Sequence, residues 1–371
     1  MSELFERPFE LLRRQNGERY DDEIIKNWYY ARSYVLEKLK NVSFKYGSND
    51  HLHVLVLDGS PQMLSVVRQI ALTAHYINFN ETPLRNRTVI TIISKNPDIR
   101  KELQKEEYLC NLPKYCKFVD IESKIDNNDS YIDIEIHIVG DYSNTNELVF
   151  SKEELRDYCK TKEKEGIDIM CIDTRKAILL NRIYNLGAVI DNLPAEDIHS
   201  AKRYALALDV FQYQRLKEEP EPLFDEDDWM DLSIVKEKLS CIFCADCFNS
   251  RCIGIQRSSK DVEKIDNVLW EQYNEALSKS EHSRWVVEKL IMGYNPLNAQ
   301  QRFIDESLFY DKKKRKEYRN SLKKEPHNPA HIDLCSYADL RRIDPASLKY
   351  DSFLMLAIPK ILERIKELNQ S

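Results

Sequence analysis

His51-Leu52-His53-Val54-Leu55-Val56-Leu57, followed at once by Asp58-Gly59-Ser60-Pro61, decides the class of fold. A short, mostly apolar run closed by a turn sequence reads as a buried strand. An amphipathic helical pattern from about Met63 to Tyr76 comes next, and Thr88-Val89-Ile90-Thr91-Ile92-Ile93 is a second strand. Ile132, Ile134, Ile136 and Ile138 alternate with Asp133, Glu135 and His137, which predicts a strand with one wetter face. Ile167 to Ile172 reads as a further strand, followed by a helix through Tyr184. Strands separated by helical patterns argue for a parallel sheet in a doubly wound arrangement, with any ligand at the carboxyl ends of the strands.

The turn after the first strand is where a dinucleotide-binding domain places Gly-x-Gly-x-x-Gly. Only Gly59 stands there; Pro61 and Leu64 occupy the next two glycine positions. The second glycine lets backbone approach pyrophosphate and the third lets helix and strand pack closely. Proline also removes an N–H that could face a phosphate. Ser94-Lys95-Asn96 stands where a ribose-binding acid is expected. Ordinary NAD binding is therefore not expected, and Asp58, Gly59, Ser60 and Lys95 are kept as a second site for a different nucleotide. The fold class that follows is α/β: a Rossmann-like parallel sheet domain lacking the glycine fingerprint, followed by a mostly helical domain.

With 371 residues and 42% hydrophobic content the chain can bury a large core, and two domains are the natural prior. A net charge of −7 argues against general attraction to DNA or to anionic membrane. No apolar run approaches the ~20 residues that span a bilayer, and Met1 to Arg14 lacks the apolar core of a signal peptide. A cytoplasmic protein is expected. Nine cysteines, an odd number without secretory context, should be mostly reduced thiols.

Residues 1–45 read as a helical segment with a broad apolar stripe, which packs on a neighbouring domain or makes a contact with a second copy or partner protein. Residues 46–220 form the α/β domain, 221–264 a helical linker, and 265–371 the second domain. A helix from Asp197 to about Lys217 leads into an acidic turn, Glu218 to Asp231, read as the hinge. Cys241, Cys244, Cys247 and Cys252 have a spacing that can supply thiolates to a metal, but their apolar neighbours favour a helix of buried free thiols, and no metal is assigned. Asp311 to Lys316 opens a basic helix or loop. Ser352 to Leu368 is a helix that Pro359 should kink or split.

Ser280-Glu281-His282-Ser283-Arg284-Trp285-Val286-Val287-Glu288-Lys289-Leu290-Ile291-Met292-Gly293-Tyr294 carries the main functional argument. At roughly 100° per residue, His282, Trp285 and Lys289 share one stripe. An aromatic ring beside a cation and an imidazole could hold a purine, with the ammonium toward phosphate. The plainer reading puts Trp285 in the core with Lys289 snorkelling. Arg284 and Glu288, one turn apart, can pair across solvent.

The order Glu-His-x-x-Trp-x-x-Glu-Lys-Leu-x-x-Gly-Tyr resembles the first helix of the ryanodine-receptor repeat (RyR) domain. The likeness continues at His331-Ile332-Asp333-Leu334-Cys335-Ser336-Tyr337 and at Lys349-Tyr350-Asp351, and covers about residues 265–368. Bacterial copies of that domain often follow an α/β domain similar to the TrkA N-terminal domain. The resemblance implies an adenine nucleotide held against Trp285, with His282, Lys289, Tyr294, His331 and Tyr337 as further members of the site. It implies a nucleotide-sensing regulatory or effector protein, of the kind found in bacterial signalling and phage defence. The alternatives are a non-catalytic interaction adaptor and a nucleotide-processing enzyme acting at the strand ends. For an enzyme, His137 with Glu135 or Asp141, and Asp173 with Arg175, are the candidates; no residue is assigned as catalytic.

Overall fold

Six strands hydrogen-bond into one sheet: β1 (His53–Leu57), β2 (Thr88–Ile93), β3 (Lys117–Asp120), β4 (Ile125–Asn127), β5 (Ile134–Val139) and β6 (Leu148–Phe150). Their spatial order is β4-β3-β5-β2-β1-β6, and all are parallel except β4, which runs antiparallel to β3 at the edge. The structure, a computed structural model, describes residues 5–10, 20–121, 124–127, 130–142, 147–190, 235–256 and 267–370. The helix expected at 197–217, the acidic hinge at 218–231 and the boundary at 220–221 lie outside the described residues.

Register fixes the two faces of the sheet. Val54, Ile90 and Ile136 sit side by side, as do Val56, Ile92 and Ile138, and make the apolar face. His53, Val89 and Glu135, with Leu55, Thr91 and His137, fall on the other, wetter face that the alternation at 132–138 predicts. The crossovers from β1 to β2 and from β2 to β3 progress in one direction, so right-handedness puts their helices on one face. That is the apolar one. Phe150, in register with Val56, meets Tyr34 edge to face at 5.5 Å, and Arg100 lies 5.5 Å from the ring of Phe118, in register with Ile136. The return from β5 to β6 spans only residues 140–147, too few for a helical crossover. Glu147 reaches the wetter face instead, 3.6 Å from His53. Among the described residues no helix returns along that side, so the doubly wound expectation is corrected to helices on one face of the described sheet.

On the apolar face lie α1 (Asp22–Leu39) and α2 (Pro61–Thr73), followed in the chain by the short α3 (Ile99–Leu103) and α4 (Leu112–Tyr115). Asp21 starts α1 by accepting the Ile24 N–H at 2.8 Å. Its apolar stripe, including Ile25, Trp28, Tyr29 and Val35, is buried inside this chain, which leaves it unavailable to a second copy or partner. In α2 every residue from Met63 to Thr73 is buried, so the amphipathic expectation fails there. The reason is a third layer. The Cys247 thiol lies 3.6 Å from the Thr73 carbonyl, and the Ser280 hydroxyl donates to the His75 carbonyl at 3.1 Å.

That layer begins after α5 (Lys152–Lys164) with α6 (Arg175–Ile190), α7 (Val235–Asp246), α8 (Phe248–Gln256), α9 (Asn267–Gln272) and α10 (Asn274–Ile291). Then come α11 (Ala299–Ser307), α12 (Lys312–Lys323), α13 (Tyr337–Ile343) and α14 (Leu348–Gln370), the last running as one helix through Pro359. One hydrophobic cluster extends from Val54 and Ile90 of the sheet to Val287 and Ile358 of these helices. The strand expected at Ile167–Ile172 shrinks to Ile172–Asp173, paired antiparallel with Phe5–Glu6 outside the main sheet. Asp168 bends the preceding residues, accepting the Met170 N–H at 3.0 Å.

Candidate functional site

The helix α10 ends at Gly293, whose φ of +89° releases the chain in the left-handed region. Asn111, from the sheet half, clasps that end. Its backbone N–H donates to Leu290 O at 3.0 Å, and its side chain donates to Gly293 O at 2.8 Å and Tyr294 O at 2.9 Å. The chain leaving the clasp pairs in parallel with Ala330–His331, Pro296 opposite His331. Tyr294 and His331 are thus brought to the stripe of α10 by backbone hydrogen bonds rather than by sequence proximity.

Together they enclose a cavity of about 430 Å³, within the range that holds small organic ligands. His282, Trp285, Lys289, Tyr294 and His331 all line it. Trp285 is half-buried, with His331 edge-on at 4.9 Å, the His282 ring nearly parallel at 6.2 Å and Lys289 Nζ 5.6 Å from its centroid. Tyr337 does not line the cavity. It is buried behind His282, 5.7 Å away, and its backbone N–H donates to Glu81 at 2.8 Å. Other wall residues, none of them chosen from sequence as a ligand contact, include Asn181 and Tyr184 of α6, Glu237 and Ser240 of α7, Lys323 of α12, Asp333, and Tyr350 and Asp351 of α14.

The chain has no significant match among family models, curated proteins or solved structures.

The two histidines carry opposite charge states. His282 places Nε2 at 2.9 Å from Cys335 O and Nδ1 at 3.5 Å from Asp351. Two acceptors for two ring nitrogens require a proton on each. Burial opposes that charge, but Asp351 and the Cys335 carbonyl outweigh it and raise the imidazole to about 10. His331 is the reverse. Burial, with Lys323 and Lys289 beside it, drives its pKa well below the ordinary range. The Asp333 N–H donates to its Nδ1 at 3.2 Å, so the ring is neutral with its proton on Nε2. The Asp333 carboxyl is pushed up to about 6 by burial and by Asp344, and its Oδ1 has no hydrogen-bond partner among the described residues. Burial also lowers Lys323, which has no ion pair among the described residues.

A buried ionic network forms part of the wall, reaching it through Glu281, Arg284 and Lys289. Arg284 meets Glu281 at 2.7 Å and Glu288 at 2.6 Å, Arg251 meets Glu281 at 2.7 Å, and Lys289 meets Glu288 at 2.8 Å. The expected Arg284–Glu288 pair exists, but it is buried rather than solvated, because α7 and α8 close over that side with Ser240 and Arg251. Against the upward push of burial, Arg284 and Arg251 hold Glu281 down to about 2. Lys289 is thereby tied to the helix that carries it, whereas Lys323 lines the cavity near Asp333 without an ion pair among the described residues.

The cysteine run occupies α7 and α8, as its apolar neighbours suggest. Cys241 faces Asn181 at 3.9 Å, Cys244 faces Arg251 at 3.8 Å and Cys247 faces backbone carbonyls, and burial pushes the pKa of all three upward. Asp58, Gly59, Ser60 and Lys95 do gather at the ends of β1 and β2. Asp58 adopts a φ of +84°, and its carboxylate accepts the Ser60 N–H at 3.1 Å. The space over Gly59 is filled by Ile99 and Ser94, and Lys95 pairs with Asp141 at 3.2 Å in solvent. Of the enzyme candidates, His137 bonds Glu135 at 2.6 Å on the wetter sheet face, and Asp173 accepts the Arg175 N–H at 3.1 Å where α6 begins. Neither group lines the cavity.

Proposed function

We propose that this chain is a nucleotide-sensing regulatory or effector protein that binds an adenine-containing nucleotide in the cavity beside Trp285. One observation carries the reading: five residues chosen from sequence, His282, Trp285, Lys289, Tyr294 and His331, line a single cavity of ligand size. Trp285, Tyr294 and Tyr350 offer aromatic surface to a base, and Lys323 offers a positive charge to a phosphate. Asp333 offers an acceptor to an exocyclic amine. Asp333, Asp351 and Glu237 also place acids in the wall, which favours a ligand of few phosphates over a polyphosphate. The resemblance of residues 265–368 to the RyR domain points the same way.

The test is thermal melting against ATP, ADP, AMP, NAD, ADP-ribose, S-adenosylmethionine and cyclic nucleotides. A ligand bound only to the native state, at ~100 times its dissociation constant, adds ~2.7 kcal/mol of stability. A selective shift that Lys323→Ala weakens supports the reading and names the ligand. A flat panel on well-folded protein sinks it in favour of an adaptor, and turnover of any member would make the protein an enzyme.

A further inference from the structure

Between α11 and α12 the chain makes a turn whose side chains face water. Phe309 is 58% exposed and Tyr310 96%, and Phe303, on α11, is 72% exposed. Among the described residues Tyr310 and Phe303 are the most exposed of the large apolar side chains, and here three such residues lie within one short stretch of chain. The sequence continues from Tyr310 into Asp311-Lys312-Lys313-Lys314-Arg315-Lys316, and α12 has no buried residue.

The charges of this segment divide into two sets. Arg315 and Arg319 are committed to the buried Asp305 at 2.5 and 2.6 Å, which staples α12 to α11. Lys314 pairs with Asp311 at 3.1 Å. Lys312, Lys313 and Lys316 form no ion pair among the described residues. The hairpin rests on the body through its own small cluster, Leu297, Ala330 and Ile332 with Leu322, separate from the main core. Phe309 is held locally, edge to face with Tyr310 at 5.3 Å and 5.3 Å from the Arg315 guanidinium, yet these contacts neither bury Tyr310 nor engage the three lysines.

We propose that this turn docks on an anionic lipid surface, Phe309 and Tyr310 entering the headgroup layer and Lys312, Lys313 and Lys316 meeting lipid phosphates. Aromatic rings settle where one end is apolar and the other wet, and lysines beside them are attracted by anionic headgroups. A single-stranded nucleic acid fits less well, since its binders set aromatic platforms within a basic groove, and a residue 96% exposed lies in no groove. The net charge of −7 does not oppose this, because charge beyond a Debye length of roughly 10 Å is screened while the three lysines are local.

The experiment is co-sedimentation of the full chain with vesicles of phosphatidylcholine alone and of phosphatidylcholine mixed with phosphatidylglycerol. Binding to the mixed vesicles only is expected. It should fall on the order of fivefold for each lysine charge removed and be lost in a Phe309→Ser, Tyr310→Ser double variant. These positions are exposed, so unchanged circular dichroism will confirm that the variants fold. No binding to mixed vesicles, equal binding to both kinds, or binding that survives both sets of substitutions overturns the proposal. So does a single-stranded RNA oligonucleotide that binds through the same residues while vesicles do not.

Discussion

At Gly59 there is no room for a methyl group. A Cβ built there would lie 2.5 Å from Ile99 Cδ1 and 2.9 Å from Ser94 Oγ, so both side chains must give way. Gly59→Ala should lower stability by ~1–3 kcal/mol, read from urea unfolding; a neutral result would mean that Ile99 repacks freely. Trp285 is a different kind of residue, half-buried at a cavity rather than locked in a core. Trp285→Ala is expected to keep its fold by circular dichroism while losing any nucleotide-induced melting shift. Loss of the fold instead would return Trp285 to the core and take away the main support for the pocket. His282 titrates in a stated direction. Its folded pKa of about 10 lies above the ordinary ~6.5, so its contribution to stability is full below ~6.5 and disappears as pH rises through about 10. The melting gap between wild type and His282→Gln should be wide at pH 6 and narrow toward pH 10; a gap that grew with pH would contradict a charged His282.

Among the elements, α10 does the most varied work: it lines the cavity with His282, Trp285 and Lys289 and buries Glu281, Arg284 and Glu288 in an ionic network beside it. Replacing one member of such a network leaves the others charged and uncompensated. Arg284→Ala should destabilise by ~3–5 kcal/mol; a loss below ~1 kcal/mol would mean that water enters to solvate Glu281 and Glu288. The helical spacing of His282, Trp285 and Lys289 was legible because a stripe needs only the period of the helix. Whether its other side faced water was not, since charged residues usually do and the covering groups, Ser240 and Arg251, come from a segment that reads as a linker. Asp333 and Asp351 were within reach, both lying in runs that resemble the RyR domain. Lys323 was not, being one lysine among many until tertiary packing turned it toward the cavity. Likewise the parallel strands were legible from β-branched runs, whereas burial of α2 on all sides depends on helices more than 170 residues later in the chain.

For the whole molecule, the consequence of one continuous cluster is cooperativity. Sheet and helical layer share α2, so neither can lose the other without exposing it. Far-ultraviolet dichroism and the fluorescence of Trp28 and Trp270 should report one coincident unfolding transition. Two separated transitions would show that the halves are energetically independent despite their shared packing. The clasp at the end of α10 gives this coupling a handle. The amide proton of Asn111 belongs to the sheet half, yet it can exchange with deuterium only when its bond to Leu290 opens. A molecule resting against Trp285 and Tyr294 would hold that bond shut, so the isotope uptake of one asparagine, distant in sequence but bonded to the end of α10, becomes a clock for occupancy of the cavity.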